Sequence, residues 1–255
     1  MIISTRSWLP DLDEVSLPLP ATGYAAEALW SGGIAGAWRS SAAASVHRFD
    51  FRLGLQRPVG LIGLFDVRPG SGAVVTAIQV RIDAAWPMGT GSILGTITLG
   101  ERRDGVLHLP VPATHEAWSI WVTLDTPAVL TLGEVWFGAA TVLPRGYATR
   151  QDSIDYHQIS TVSEGQTVRS AEIAEYTRRL SLGFDRLTAA ELAAVRSAWH
   201  GARGRGQDVV VLPVDDEPTN PILGSLQQRL AYGVDFPVHT GLALDLVESG
   251  RALGA

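Results

Sequence analysis

YTRRLSLGFDRLTAAELAAVRSAWHGARGRGQDVVVLPV, residues Tyr176–Val214, reads as a strand, a capped helix and a second strand. Leu180, Leu182 and Phe184 alternate with Arg179, Ser181, Gly183 and Asp185, the period-two pattern of a half-buried strand. Thr188 stands three residues before Glu191, so each side chain can bond the other's backbone N–H, which is a capping box. Leu187 and Leu192 fall where a hydrophobic staple fixes the entry of the chain into the helix. Leu192, Val195 and Trp199 then form one apolar stripe. Gly201, Gly204 and Gly206 end the helix, and Val209–Leu212 is a β-branched run that stops at Pro213. A short helix between two strands predicts an α+β unit, and the stretch carries no reactive group.

Outward from this unit, composition sets the limits. The chain has 255 residues, 46% hydrophobic and 18% charged, enough to bury real cores in one large domain or two ordinary ones. No apolar run approaches eighteen residues and the N-terminus lacks a basic–apolar pattern, so neither a membrane span nor a signal peptide is expected. The net charge of −6 argues against nucleic-acid binding, which needs clustered positive charge. All 20 basic residues are arginine and there is no cysteine. Lysine Schiff bases, a P-loop lysine, thiol nucleophiles, thiolate metal sites and disulfides are therefore excluded.

From Tyr24 to about Leu143 the signals are all strand and turn, with no helix of three turns expected. His47–Leu53, Pro58–Val67, Val74–Ile82, Ile93–Leu99, Gly105–Val111, Trp118–Leu124 and Ala128–Gly138 recur at roughly the spacing of a β-sandwich. Trp118, Ile120, Val122 and Leu124 share one strand face, as do Val74, Ile78, Val80 and Ile82. Met1–Ser4 is a short strand followed by a proline-rich loop whose Asp11, Asp13 and Glu14 read as a solvated acidic cluster. Arg145–Val168 is polar and mixed, a junction with one strand at Ile154–Val162. Leu230, Tyr232, Val234 and Phe236 alternate in a last clear strand, and Thr240–Leu253 pairs with the sheet or drapes over it.

Leu29–Ile82, with its Trp38-Arg39-Ser40 step, short glycine turn and alternating valines, resembles the galactose-binding-like, discoidin-type jelly roll. Leu130–Pro144 is similar to the closing strand of such domains in tailed-phage proteins. The second unit, in Arg178–Leu187, Thr188–Glu191, Gly201–Gly206 and Val209–Pro213, resembles distal-tail and related baseplate proteins of long-tailed phages and gene transfer agents. These resemblances imply a mainly β protein: an arm (1–22), a β-sandwich or jelly roll (23–145), and an α+β split barrel with one packed helix (146–255). They imply a structural component of a phage-type tail tip or baseplate. It would form a ring of six or three copies that couples the tail tube to the adsorption apparatus. The partners are then other copies, the tube, the hub and a tail fibre, and the location is the virion tail tip, assembled in the host cytoplasm. The rival reading is a carbohydrate-binding module recognising a host surface glycan.

Neither reading needs catalysis. Six scattered histidines (His47, His108, His115, His157, His200, His239) lack metal-ligand spacing, and no nucleophile elbow or dinucleotide fingerprint occurs. Asp215, Asp216 and Glu217 are neighbours in one loop, unsuited to the opposed carboxylates of a glycosidase. No enzyme activity, cofactor or metal is expected. Trp118 and Trp199 are assigned to the core. Trp86, Trp121, Trp30 and Arg39 are the candidate contacts, for a subunit interface or for stacking on a sugar.

Overall fold

The computed structural model describes all residues except 31–36, 55–56, 144–148, 164–165, 202–207, 214–216, 227–231, 236–238, 249–250 and 253–255. The protein is mainly β and antiparallel throughout its described strands. In chain order the first strands are β1 (Ile2–Ser4), β2 (Glu14–Ser16), β3 (Trp38–Arg39), β4 (Ala44–Arg52), β5 (Val59–Phe65), β6 (Arg68–Pro69) and β7 (Val75–Asp83). Next come β8 (Ser92–Thr96), β9 (Gly105–Ala113), β10 (Ala117–Ala128), β11 (Leu130–Leu132), β12 (Glu134–Gly138) and β13 (Thr141–Val142). The C-terminal part contains β14 (Thr149–Ser163), β15 (Gln166–Leu187), α1 (Ala189–Gly201), β16 (Asp208–Leu212), β17 (Ile222–Leu226), β18 (Tyr232–Asp235), β19 (His239–Glu248) and β20 (Arg251–Ala252).

The sandwich sets the five-stranded sheet β2-β4-β10-β7-β8 against two three-stranded sheets, β12-β5-β9 and β3-β11-β6. Period-two alternation drives one face of each strand inward. Phe49, Phe51, Ile78, Val80, Trp118, Ile120 and Val122 meet Ile62, Leu64, Val135, Phe137, Leu130 and Trp38 in one core. Trp118 lies edge-on to Phe137 at 5.7 Å, and Trp38 edge-on to Phe49 at 5.1 Å. Trp118 also donates its indole N–H to the His115 carbonyl at 3.0 Å. Val74 departs from the expected face: it is 59% exposed, and Val75 takes the inward place. A register shift beside Thr123 and Leu124 inserts the extra residue that flips the alternation.

The nine-stranded sheet contains the path β13-β1-β16-β17-β19-β15-β14, with β18 and β20 paired beside it, and it carries α1. The capping box forms as the spacing requires. The Thr188 N–H donates to Glu191 Oε2 at 2.7 Å, and the Glu191 N–H donates to Thr188 Oγ1 at 3.3 Å. Val195 is buried with Met1, Ile3, Val209, Val211 and Ile222, and Leu192 packs beside them. The side chains of Leu182, Phe184, Leu187 and Trp199, and residues Gly204, Gly206, Leu230 and Phe236, lie outside the described residues. Thr188→Ala removes one partner of a charge-assisted pair and is expected to cost about 1 kcal/mol, read as a Tm fall of about 2–4 °C.

Three sequence expectations are changed or settled. Residues 1–22 are divided between the units, because β1 lies between β13 and β16 in the large sheet while β2 joins the sandwich beside β4. The strand expected at Ile154–Val162 forms, but it runs over Thr149–Ser163 as β14 and is half of a long hairpin rather than part of a junction, paired to β15 from Thr149↔Gly183 to Ser163↔Gln166. Thr240–Leu253 does pair: β19 bonds to β15, β17 and β18.

The two units share a buried apolar seam. Leu61 and Phe65 of β5, Val106 of β9 and Trp136 of β12 pack against Ile2, Val210, Leu212 and Leu223. β5 and β16 are therefore covered on both faces, which explains why VGLIGLF and VVVL are unbroken apolar runs. Polar bonds frame the seam. The Trp136 indole donates to Ser4 Oγ at 2.9 Å, the Val106 N–H donates to the Pro218 carbonyl at 3.0 Å, and Arg102 pairs with the buried Glu248.

Candidate functional site

With one sheet face of the sandwich spent on the seam, the outward face of β4, β10 and β7 is the other broad surface. Because Trp118, Ile120 and Val122 point inward, Ser119 and Trp121 point outward. The register builds rows across the three strands. Trp121 stands between Arg48 and Gln79, Ser119 between Asp50 and Arg81, and Ala117 between Arg52 and Asp83.

These rows hydrogen-bond into one network. The Trp121 indole donates to Ser119 Oγ at 2.7 Å, and Ser119 donates to Asp50 at 2.5 Å. Arg48 donates its Nε to the same Asp50 carboxylate at 2.8 Å. The Arg81 guanidinium lies over the Trp121 ring at 4.2 Å and that of Arg48 at 5.3 Å, both in cation–π range. Ser119 and Asp50 are buried beneath this layer. At the next row, Arg52 bridges Glu14 and Glu116, each at 2.7 Å, and these hydrogen bonds, Glu14's foremost, raise its pKa above the ordinary arginine value.

The segment that closes the layer is the β7–β8 connection, residues 84–91. It folds back over the sheet, and the two arginines hold it. Arg48 Nη2 donates to the carbonyls of Met88 at 2.6 Å and Gly89 at 2.7 Å, and Arg81 Nη1 donates to that of Thr90 at 2.7 Å. Asp83 accepts the N–H groups of Ala84 and Gly89. Met88 is buried, which anchors the loop by an apolar contact as well. Gly91 is required at the return: its φ is +57°, and a Cβ there would lie 2.7 Å from the Ile82 carbonyl oxygen. Trp86, beside a cis Pro87, is the loop's aromatic. It is half-buried and makes no hydrogen bond, ring contact or cation–π contact among the described residues.

The four sequence candidates thus separate. Trp86 and Trp121 belong to one assembly, Trp86 on the loop and Trp121 as the packed centre of the layer that supports it. Arg39 is exposed on β3, in the facing sheet, opposite Thr131. Trp30 follows a 3-10 turn at Ala26–Leu29 and packs on the sandwich core. In the Trp38-Arg39-Ser40 step, Trp38 is core, and Ser40 Oγ donates to the Ala42 carbonyl and accepts the Leu130 N–H. Sequence reading missed Arg48, Asp50, Arg81 and Ser119. The signal was present in the polar positions of RFDFR and SIWV, which alternate with inward residues and so share a face with Trp121.

The other chemistry-bearing residues have structural partners. His47 is buried with Nε2 2.9 Å from the Ala128 carbonyl, and His115 packs edge-on to Trp118 at 5.5 Å. Asp11 pairs with Arg6, and Glu14 with Arg52. Among the described residues no group of three or more His, Asp or Glu side chains could hold a metal ion. His157 and His239 side chains and residues Asp215 and Asp216 lie outside the described residues.

No family model and no curated protein matches the sequence. Among solved structures, the chain is similar to chitosan-binding module 1 from a chitosanase/glucanase of Paenibacillus sp. IK-5. That match has 14% identity and a TM-score of 0.43 over 52% of this chain and 99% of the module. A family 32 carbohydrate-binding module from C. perfringens, in complex with galactose, aligns at 16% identity and a TM-score of 0.40, covering 55% of this chain and all (100%) of that one. A fucolectin from striped bass (Morone saxatilis) serum aligns at 11% identity and a TM-score of 0.37, covering 94% and 96%. At these values the likenesses decide nothing about what this chain binds, and its function rests on its own residues.

Proposed function

We propose that the chain is a non-catalytic recognition protein whose sandwich binds a glycan at the Trp86 loop. The observation that carries this reading is a half-buried indole with no hydrogen-bond, ring or cation–π partner among the described residues, on a loop pinned by three charge-assisted hydrogen bonds to backbone carbonyls. An aromatic face held still loses little conformational entropy when an apolar sugar face stacks on it. Trp121 is not the stacking platform, since Arg81 already covers its ring. Trp86→Ala is expected to weaken glycan binding at least about tenfold, the scale of an aromatic hot spot, while Tm stays within about 2 °C. Glycan-array screening followed by calorimetric titration measures the first, and differential scanning calorimetry the second. Unchanged affinity in Trp86→Ala would overturn the assignment.

A second reading concerns where such a module works. The hairpin of β14 and β15 supports assembly into a phage-type tail tip or baseplate, as a ring of copies contacting tube, hub and fibre. Among the described residues, 166–174 of β15 pair with β14 alone, whereas its later residues bond β20 and β19. A two-stranded ribbon by itself is marginally stable in water, so it suits a segment completed by a neighbour. Light scattering and electron microscopy of purified particles test this; a strictly monomeric, particle-free protein refutes it while leaving the glycan reading standing.

A further inference from the structure

The charges around the Trp86 loop restrict its ligand, and this step rests on the glycan reading above. Three arginines and four carboxylates (Glu14, Asp50, Asp83, Glu116) share the outward face, which leaves one net negative charge there. Recognition of a carboxylate or sulfate by arginine uses a free guanidinium fork. No such fork is on offer beside Trp86. Arg48 gives Nε to Asp50 and Nη2 to Met88 and Gly89. Arg81 gives Nε and Nη2 to Gln79 and Nη1 to Thr90, with its face on Trp121. Arg52 is divided between Glu14 and Glu116. An anionic ligand would have to unpin the loop that presents the indole.

A cationic sugar meets no such obstacle. Asp83 accepts two neutral backbone N–H groups, which leave its charge in place and acceptor sites open. Asp50 accepts from Ser119 and Arg48, and Glu14 and Glu116 are each paired with Arg52.

We infer that the Trp86 loop takes a sugar ring free of acid groups, and that Arg48 and Arg81 are positioning residues that hold the indole for it rather than anchors for the ligand. Recognition of a neutral ring is insensitive to salt, because no ion pair forms or is screened on binding, whereas an amino sugar paired with Asp83 binds more weakly as salt rises.

The experiment titrates the full chain with galactan, mannan and β-glucan as uncharged polymers, polygalacturonate and heparan sulfate as anions, and chitosan as a cation. Each is measured at about 50 and about 500 mM NaCl, a range over which ion-pair binding is strongly screened. Polygalacturonate and heparan sulfate are expected not to bind, whereas an uncharged polymer or chitosan binds, with Kd for an uncharged polymer changing less than about twofold between the two salts. Arg48→Ala is expected to weaken that binding about tenfold through lost preorganisation and to speed amide exchange across residues 84–91. Arg48→Lys keeps the charge but not the fork, and is expected to show the same two effects in smaller degree. Binding confined to an anionic polymer, with a steep salt dependence, overturns the inference and leaves the glycan reading intact. Weaker binding in Arg48→Ala with unchanged loop exchange makes Arg48 an anchor and also overturns it. Absence of binding to every polymer, at both salts, removes the glycan reading itself.

Discussion

Ile2→Asp is expected to destabilise the protein by about 3–5 kcal/mol, the cost of leaving a buried charge unpaired. Ile2 is fully buried in the seam, packed in one apolar cluster with Leu61, Phe65, Val106, Trp136, Val210, Leu212 and Leu223. Its strand is also the bridge between β13 and β16, so distortion there disturbs both hydrogen-bonded edges. Calorimetry of the parent protein is expected to show one cooperative transition, because the units melt together when their cores share a face. In Ile2→Asp the fall in Tm is on the order of 10 °C. The single transition is also expected to divide, with the sandwich melting after the C-terminal sheet. A variant with the parent's single transition at the parent's temperature would show that Ile2 does not sit between the two units.

Trp118→Ala is expected to cost about 3–5 kcal/mol, the range for emptying a large aromatic site in a core. The side chain is fully buried, packs edge-on against Phe137 and His115, and satisfies the His115 carbonyl through its indole N–H. Its removal leaves a cavity walled by two strands of the five-stranded sheet and by β12, which cannot collapse without breaking register. Urea titration reads the loss as a lower midpoint at nearly unchanged slope. Compared with Trp86→Ala, this is a test of position rather than residue type. The two tryptophans are expected to separate fully, one governing stability and the other binding. Equal losses of stability in both variants would contradict the loop geometry.

The recognition face depends on the same division of labour. One outward sheet face of the sandwich is consumed by the C-terminal unit, and the other is built up by Arg48, Asp50, Arg81, Ser119 and Trp121 into a support for residues 84–91. The guanidiniums do mechanical work there: each spans from a sheet strand to a loop carbonyl. On the proposed glycan reading, mutating them is expected to act on binding through the loop, and mutating Trp86 to act on it directly.

Local order was legible in the chain because its causes are local. The capping pair Thr188 and Glu191 is three residues apart, the inward faces of β4 and β10 follow a two-residue period, and the helix stop at Gly201 needs no distant partner. Alternation around Trp121 even placed it on an outward face. What alternation cannot say is what covers the second face of a strand that is apolar on both. VGLIGLF and VVVL are buried twice, by a core on one side and by the seam on the other, and only the packing of units far apart in sequence reveals it. The same holds for β1, whose partners Thr141–Val142 and Val210–Leu212 lie well over a hundred residues away. It holds equally for the Trp86 loop, whose position is set by Arg48 across 40 residues. Period and capping are properties of neighbours along the chain, and those the sequence determined by itself. Which surfaces meet depends on long-range burial and on hydrogen bonds that exist only once the sheets have closed, so the seam and the pinned loop were decided by the tertiary structure.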